Sequence, residues 1–323
     1  VIGRGRTKEE IKKNLLSIPI NMGQIDINGL CNAQCWFCPV RYEGNPKEYV
    51  NQMTPNELAS IFSNLQNSNL FPKTTRFLYT CHYNEVLLHK DFDDMMNVFR
   101  DFGFKTAILS NGTPLTPAKI DFIKANPDIL TGIALNIPAI EKEDWMRKTG
   151  FEASVHKVLM RNLQYLNDNF NGASLQINSL LNGDRKLDKG IYTTHEEALA
   201  IKEQFLQLFP NIGVWIQEHL SDRAGSLTEH KVLLPYSVHS KQPVVGCNHS
   251  ASSAGGGRVY EWVHIGPKGD LFLCCDDYKM QYNFGNLLDK QFDEIWASDE
   301  HIAQIQKAQD EICSRCNFAA KEL

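Results

Sequence analysis

The sequence lacks several features, and each absence removes a class of function. No apolar run approaches the ~20 residues that span a bilayer. The opening stretch VIGRGRTKEE is basic and polar, without a signal-peptide core, so the expectation is a cytoplasmic protein with no membrane partner. There is no excess of positive charge either: 33 Lys and Arg stand against 38 Asp and Glu, a formal net charge of -5. Nothing global therefore draws the chain to nucleic acid. No internal repeat or low-complexity tract stands out. The run Gly255-Gly-Gly257-Arg258 lacks the lysine and spacing of a P-loop and reads as a hinge or connection. What the chain does have is nine cysteines, an odd number. Their tight groups, Cys274-Cys275 and Cys313-Ser-Arg-Cys316, suit metal binding better than a disulfide framework.

With 323 residues, 42% of them hydrophobic, the chain buries a substantial core, and one large α/β domain plus an appendage is expected. The stretches 24–28, 76–80, 105–110, 129–137, 173–181 and 212–218 read as strands. Helices lie between them. Thr54-Pro-Asn-Glu57 and Thr194 with Glu197 are capping boxes, and Leu58, Ile61, Phe62 and Leu65 fall on one helical face. Strands alternating with helices imply a parallel sheet with right-handed crossovers. Six such units are too few to close an eight-fold barrel, so a partial (β/α)6 barrel is expected, with its site at the strand C-terminal ends. From about Arg223 the rhythm stops. Val259 to Cys274 reads as a hairpin turning at Pro267-Lys-Gly269, and Asp289 to Gln309 as helical, a separate small α+β module. The expected organisation is an N-terminal extension (1–21), a core (22–222) and a C-terminal module (223–323).

Residues 31 to 39 read CNAQCWFCP. A structural zinc site closes its coordination with four protein ligands, and here the thiolates come as three; Asn32, Gln34 and Trp36 are poor candidates for a fourth. Iron–sulfur cubanes also take cysteine thiolates, and three cysteines leave one iron open for reaction. Cys31-x-x-x-Cys35-x-x-Cys38 just after the first strand, with Phe37 before the last cysteine, resembles the radical S-adenosylmethionine (radical SAM) enzymes. The resemblance implies that Cys31, Cys35 and Cys38 hold a 4Fe-4S cluster whose fourth iron is chelated by SAM, and that reductive cleavage of SAM yields a 5'-deoxyadenosyl radical that abstracts a substrate hydrogen atom. It further implies that Glu85, beside Asn84, accepts hydrogen bonds from the SAM ammonium, although the family's glycine and proline around this position are missing. Leu109-Ser110-Asn111-Gly112 looks like the family's third-strand turn, and Asn136 falls at the fourth-strand end, where a polar residue often contacts SAM. Each of these also has a plain reading: Glu85 as a helix cap, Asn111-Gly112 as a turn.

The C-terminal stretch resembles the SPASM and shortened twitch extensions of the same enzymes: Ile265 to Asp277, Phe284-Gly-Asn-Leu287 and Phe292 to Trp296, followed by Cys313-x-x-Cys316. This implies an auxiliary 4Fe-4S cluster held by Cys247, Cys274, Cys313 and Cys316, with zinc as the rival occupant. Cys274 is preferred over Cys275 because it stands five residues after Gly269. Cys81 remains, at the active-site mouth, as a hydrogen donor in an epimerase or as a small buried hydrophobe. Asp276 with Asp277 reads as a base, a cation-binding group or a solvated turn. His82, His249 and His264 read as structural or solvated, with reach to substrate or a cluster as the alternative. The expectation is oxidation of a small aminocyclitol or carbohydrate-like molecule with the auxiliary cluster as electron acceptor, served by a flavodoxin- or ferredoxin-type reductant. The alternatives are a peptide-modifying enzyme or epimerase and, from another class, a non-catalytic iron–sulfur or zinc protein. No N-terminal peptide-recognition domain precedes the barrel, which favours the small molecule.

Overall fold

The computed structural model describes residues 3–179, 191–218, 220–232, 242–249 and 256–322. Six strands follow one another in chain order: β1 (Met22–Ile25), β2 (Leu78–Tyr79), β3 (Thr106–Ser110), β4 (Leu130–Asn136), β5 (Ala173–Asn178) and β6 (Gly213–Gln217). β1 pairs with β2, and β3 through β6 pair in sequence, all parallel. The two ladders meet where Phe77 bridges Lys105 and the Leu78 N–H donates to the Lys105 carbonyl at 2.9 Å. The result is the expected partial (β/α)6 barrel. The strands are shorter than the sequence suggests, because their ends serve as loops; Leu180 and Leu181 of the expected fifth strand, and Gly255 of the glycine run, lie outside the described residues.

Helices Pro55–Asn67, Phe92–Asp101, Pro117–Ala125, Ala153–Asn169 and His195–Leu208 cross between the strands. The boxes at Thr54/Glu57 and Thr194/Glu197 both close, the glutamates accepting from the cap N–H at 2.7 and 2.8 Å. Since side chains alternate across a strand, Ile25, Ile108, Leu135, Leu175 and Ile177 bury themselves beneath the helices, leaving the opposite face to Gln24, Asn136, Gln176 and Asn178. Asn178 Nδ2 donates to Asn136 Oδ1 across two of these strands at 3.0 Å. The barrel therefore has an apolar outside and a polar inside.

The chain after residue 222 adds β7 (Val244–Cys247), β8 (Trp262–Ile265), β9 (Asp270–Phe272), β10 (Asn283–Asn286) and β11 (Ala319–Lys321). This part is joined to the barrel rather than set apart from it. β8 pairs in parallel with β1, from Met22 opposite Trp262 to Ile25 opposite Ile265, and the β8–β9 hairpin and β10 extend the same sheet. The hairpin starts later than expected because Arg258–Glu261 forms a helical turn. The long helix expected over 289–309 is broken: Phe292–Ile295 ends, Ala297 takes φ 62°, and Ser298 caps a new helix, Asp299–Asp310. The N-terminal residues dock on this same region. Arg4 bridges Gly246, Arg6 pairs with Asp310, and Trp296 Nε1 donates to the Leu15 carbonyl at 3.0 Å. Among the described residues no helix is long and apolar enough to cross a membrane.

Candidate functional site: two thiol clusters at the barrel mouth

The chain leaves β1 through Asp26 to Leu30 and enters the three-cysteine loop. Gly29 permits this path: a Cβ there would lie 1.7 Å from the Tyr49 carbonyl oxygen. The loop is pinned from outside. Gln34 N–H donates to the Thr149 carbonyl and Trp36 N–H to that of Lys148, both at 2.8 Å, while Arg41 Nη1 bonds the Gln34 and Arg147 carbonyls at 3.1 Å. Lys148 is itself buried and paired with Asp144 at 2.8 Å. Trp36 and Phe37 are buried beside Leu220 and Leu227, so Phe37 acts as an anchor for the loop.

Burial pushes the Cys31 thiol up to about 12, Cys38 to about 11 and Cys35 well up. Each of Cys31 and Cys35 is raised further by neighbouring cysteines of the loop. Burial opposes ionisation of all three thiols of this loop, and a cation such as an iron–sulfur core supplies would favour their thiolate forms. The donor set fits that group.

Around them stand the predicted rim residues. Glu85 is buried and caps the short 3-10 helix Val86–Leu88; its Oε2 accepts from the Asn111 N–H at 2.7 Å and Oε1 from the Leu87 N–H at 3.3 Å. Burial pushes its carboxyl up to about 7. The turn after β3 needs Gly112, at φ 80°, and Ser110 Oγ accepts its N–H at 2.9 Å. Asn111 Nδ2 donates to Asn32 Oδ1 at 2.8 Å, tying this turn to the cysteine loop. Asn84 Nδ2 donates to the Asn28 carbonyl at 2.7 Å. Glu85, Ser110, Asn111 and Cys31 thus share one neighbourhood, while Asn136 lies on the next strand, bonded to Asn178.

The second set is assembled from distant segments. Cys247 ends β7, opposite Ala319 of β11. Cys247, Cys274, Cys313 and Cys316 line a single enclosed cavity with His249, Asp276 and Tyr260. Three of the four sulfurs already accept a backbone N–H two residues on: Cys247 from His249 at 3.3 Å, Cys274 from Asp276 at 3.4 Å and Cys316 from Phe318 at 3.4 Å. Burial raises Cys247 to about 11 and Cys313 and Cys316 further. Four half-buried cysteines on one cavity fit a four-thiolate centre. His249, Cys274 and Cys275 also bring one ligand atom each to within 4.8 Å of one another. Cys275 does not line the cavity, however, which favours the four-cysteine set over this alternative.

The two sets are linked. His82 Nε2 bonds the Cys275 carbonyl at 2.9 Å, and its Nδ1 faces Asp26 Oδ2 at 3.4 Å. Burial opposes charge on His82, yet Asp26 outweighs it and the imidazole is raised, while burial raises Asp26 itself. Burial lifts the Cys81 thiol to about 12; Asp26 and Cys275 add to the rise, and Arg258 and Arg223 oppose it. Asp276 is held by Ser221 at 3.2 Å, His249 at 3.5 Å and Arg223 at 3.6 Å, and Asp277 accepts the Tyr282 N–H at 2.9 Å. Both acids are buried, so the reading of a solvated turn does not hold. Asp26 was not singled out in the sequence. Its signal was the alternation of Gln24, Asp26 and Asn28 with Ile25 and Ile27, which put a carboxylate on the inward face.

Comparison with known proteins agrees with this geometry. The family model described as the radical SAM superfamily matches residues 25–181, and that of the SPASM iron–sulfur cluster-binding domain matches 257–317. The chain belongs to the radical SAM superfamily and carries a SPASM domain; with that membership come a 4Fe-4S cluster, S-adenosylmethionine and auxiliary iron–sulfur binding. A curated relative, the AdoMet-dependent heme synthase of Nitratidesulfovibrio vulgaris, is 22% identical over 90% of this chain and 82% of its own. Among solved structures, BtrN in complex with AdoMet and 2-DOIA is similar at a TM-score of 0.53 and 14% identity, covering 92% of this chain and 93% of that one. Streptococcus suis SuiB bound to precursor peptide SuiA is similar at 0.61 and 15% identity, covering 94% and 71%. At these identities the likeness is one of fold.

Proposed function

We propose that this radical SAM enzyme is an oxidoreductase that takes a hydrogen atom from a small aminocyclitol or carbohydrate-like molecule and oxidises it. The observation that carries the reading is the pairing of a three-thiol loop with a four-thiol cavity across one polar mouth, with His82 bonded to the loop of the second while its own segment forms the rim of the first. When bound, SAM and its 4Fe-4S cluster supply the 5'-deoxyadenosyl radical, and the auxiliary 4Fe-4S cluster supplies a one-electron acceptor.

The chain's own part is binding and exclusion. Cys31, Cys35 and Cys38 hold the first cluster, and Cys247, Cys274, Cys313 and Cys316 the auxiliary one. Glu85 takes the SAM ammonium, while Asn84, Ser110, Asn111 and Asn136 orient the rest of the cosubstrate. Phe37 and Trp36 keep water from the loop. Arg223 pairs with Asp276 at 3.6 Å and is within electrostatic reach of Cys38 and Cys275. A reduced flavodoxin or ferredoxin is the electron source.

The test is anaerobic iron–sulfide reconstitution with SAM and dithionite. 5'-Deoxyadenosine is expected, along with its loss in Cys35→Ala; absence of any SAM cleavage by the wild type would instead favour a non-catalytic iron–sulfur or zinc protein. A second reading, a peptide-modifying enzyme or an epimerase, draws on Cys81, a free thiol just after β2 within electrostatic reach of Asp26 and Cys275. Loss of an epimerised product with SAM cleavage retained in Cys81→Ala would favour it.

A further inference from the structure

One carboxylate on the wall of the four-cysteine cavity has no part in the chemistry assigned so far. Asp276 is 2% exposed and lines that cavity together with Cys247, Cys274, Cys313 and Cys316. Its own N–H donates to Cys274 Sγ at 3.4 Å, so the side chain is carried one short step from a ligand. Three groups from other segments surround the carboxylate. Ser221 Oγ donates to Oδ1 at 3.2 Å, Arg223 Nη1 stands 3.6 Å from Oδ1, and His249 Nδ1 stands 3.5 Å from Oδ2. Oδ2 accepts no hydrogen bond, which leaves the charge only partly compensated.

These neighbours are themselves fixed. His249 lies flat on Phe318, the rings 3.9 Å apart and 4° from parallel, and its N–H donates to Cys247 Sγ at 3.3 Å. Arg223 takes φ 52° and Ala224 φ 50°, with Gly225 at 87° after them. Two successive left-handed residues that carry a Cβ are costly, and such strain persists where the surrounding structure holds it in place. The Asp276 charge also reaches the whole cavity, since it opposes ionisation of Cys247, Cys274, Cys313 and Cys316 alike. A buried negative charge that disfavours four thiolates equally disfavours an added electron, because net charge close to an iron–sulfur centre shifts its potential and burial spares that charge from screening.

We infer that Asp276 sets the reduction potential of the auxiliary centre, its buried carboxylate lowering that potential while Arg223 offsets part of the charge. The inference rests on the electron-acceptor role proposed above. It makes Asp276 a positioning residue that acts through the centre, in place of a base that touches substrate. A lower potential weakens the acceptor, so only a strongly reducing substrate radical delivers its electron there.

The experiment is an anaerobic redox titration of the reconstituted full chain, followed by electron paramagnetic resonance, with the auxiliary signal identified as the one that persists in Cys35→Ala. Asp276→Asn is expected to raise the auxiliary midpoint, so that the reduced-to-oxidised ratio at a fixed solution potential increases about tenfold, which is about 59 mV for one electron. Arg223→Gln, which leaves the carboxylate less compensated, is expected to shift the ratio about threefold the other way. Iron content confirms that each variant is loaded. An unmoved or lowered midpoint in Asp276→Asn overturns the inference, and loss of oxidised product with the midpoint unmoved would make Asp276 a base instead. A rise in both variants also overturns it, since general loosening of the site has no reason to follow the sign of the charge removed. If Asp276→Asn fails to hold its iron, Arg223→Gln decides alone: a lowered midpoint supports the assignment, and any other result overturns it. Because the titration reads a potential and not turnover, its failure is distinct from a failure to cleave SAM or to oxidise a substrate.

Discussion

The two thiol sites of this molecule are built in opposite ways. The first is local: three cysteines within eight residues, on one loop that is clamped by Arg41 and the backbone of residues 147–149. The second gathers its cysteines from 247, 274, 313 and 316, on a strand, a hairpin exit and a 3-10 turn. A local site is preorganised by its loop, whereas a distributed site exists only once the whole fold around it has closed. The first also provides three thiols and the second four, so a cubane held by the first would keep one iron for the cosubstrate, and one held by the second would not.

Substitutions separate the two. The largest effect is expected from Cys35→Ala, which should abolish 5'-deoxyadenosine formation and lower iron from roughly eight to roughly four per chain, read by chromatography and iron assay. Cys316→Ala should lose a similar amount of iron and the oxidised product while SAM cleavage persists; equal loss of cleavage would merge the sites into one functional unit. Cys274→Ser should behave like Cys316→Ser in iron content, and Cys275→Ser like wild type. The reverse pattern would move the ligand to Cys275 and bring His249 into the set.

Glu85 sharpens the comparison from the cosubstrate's side. Burial lifts its carboxyl from 4.5 to about 7, so the folded chain holds a proton there that the unfolded chain releases. Its contribution to stability is present below the unfolded value and is lost as pH rises through 7. If Glu85 takes the SAM ammonium as proposed, the carboxylate form is the one that binds, so SAM affinity should rise about tenfold between pH 6 and pH 8, measured by equilibrium binding, and Glu85→Gln should weaken binding and flatten that profile. The smallest effect concerns stability. Asn64 Nδ2 donates to the Leu287 and Lys290 carbonyls at 2.8 Å, and its Oδ1 accepts the Phe292 N–H at 2.8 Å, joining a barrel helix to the C-terminal region. Asn64→Ala should cost about 2–3 kcal/mol in denaturant unfolding, with iron retained at the first site when the second is lost.

Much of this was legible in the sequence for a physical reason. The three-cysteine loop is contiguous, so its spacing alone reports a shared centre, and the capping boxes at Thr54 and Thr194 report helix starts because they act within four residues. The order of the six strands followed from the alternation of apolar runs and helices. Less legible were contacts made by tertiary folding. Adjacent cysteines 274 and 275 cannot be ranked by composition; the N–H from Asp276 and the cavity wall distinguish them. His82 meets the Cys275 carbonyl from 193 residues away, and no local pattern announces that. Asp26 lay in plain view as one polar member of an alternating stretch, but the face it turns to depends on the neighbouring strands.

The parallel pairing of β8 with β1 has a kinetic consequence. Met22–Ile25 is made early in synthesis, yet the partner on its outer side, Trp262–Ile265, emerges some 240 residues later. Until then the barrel presents a bare backbone edge of the kind that recruits other chains. Such a distant contact makes completion of the sheet a slow, late event, and the arrival of the iron-binding tail is what seals the open seam.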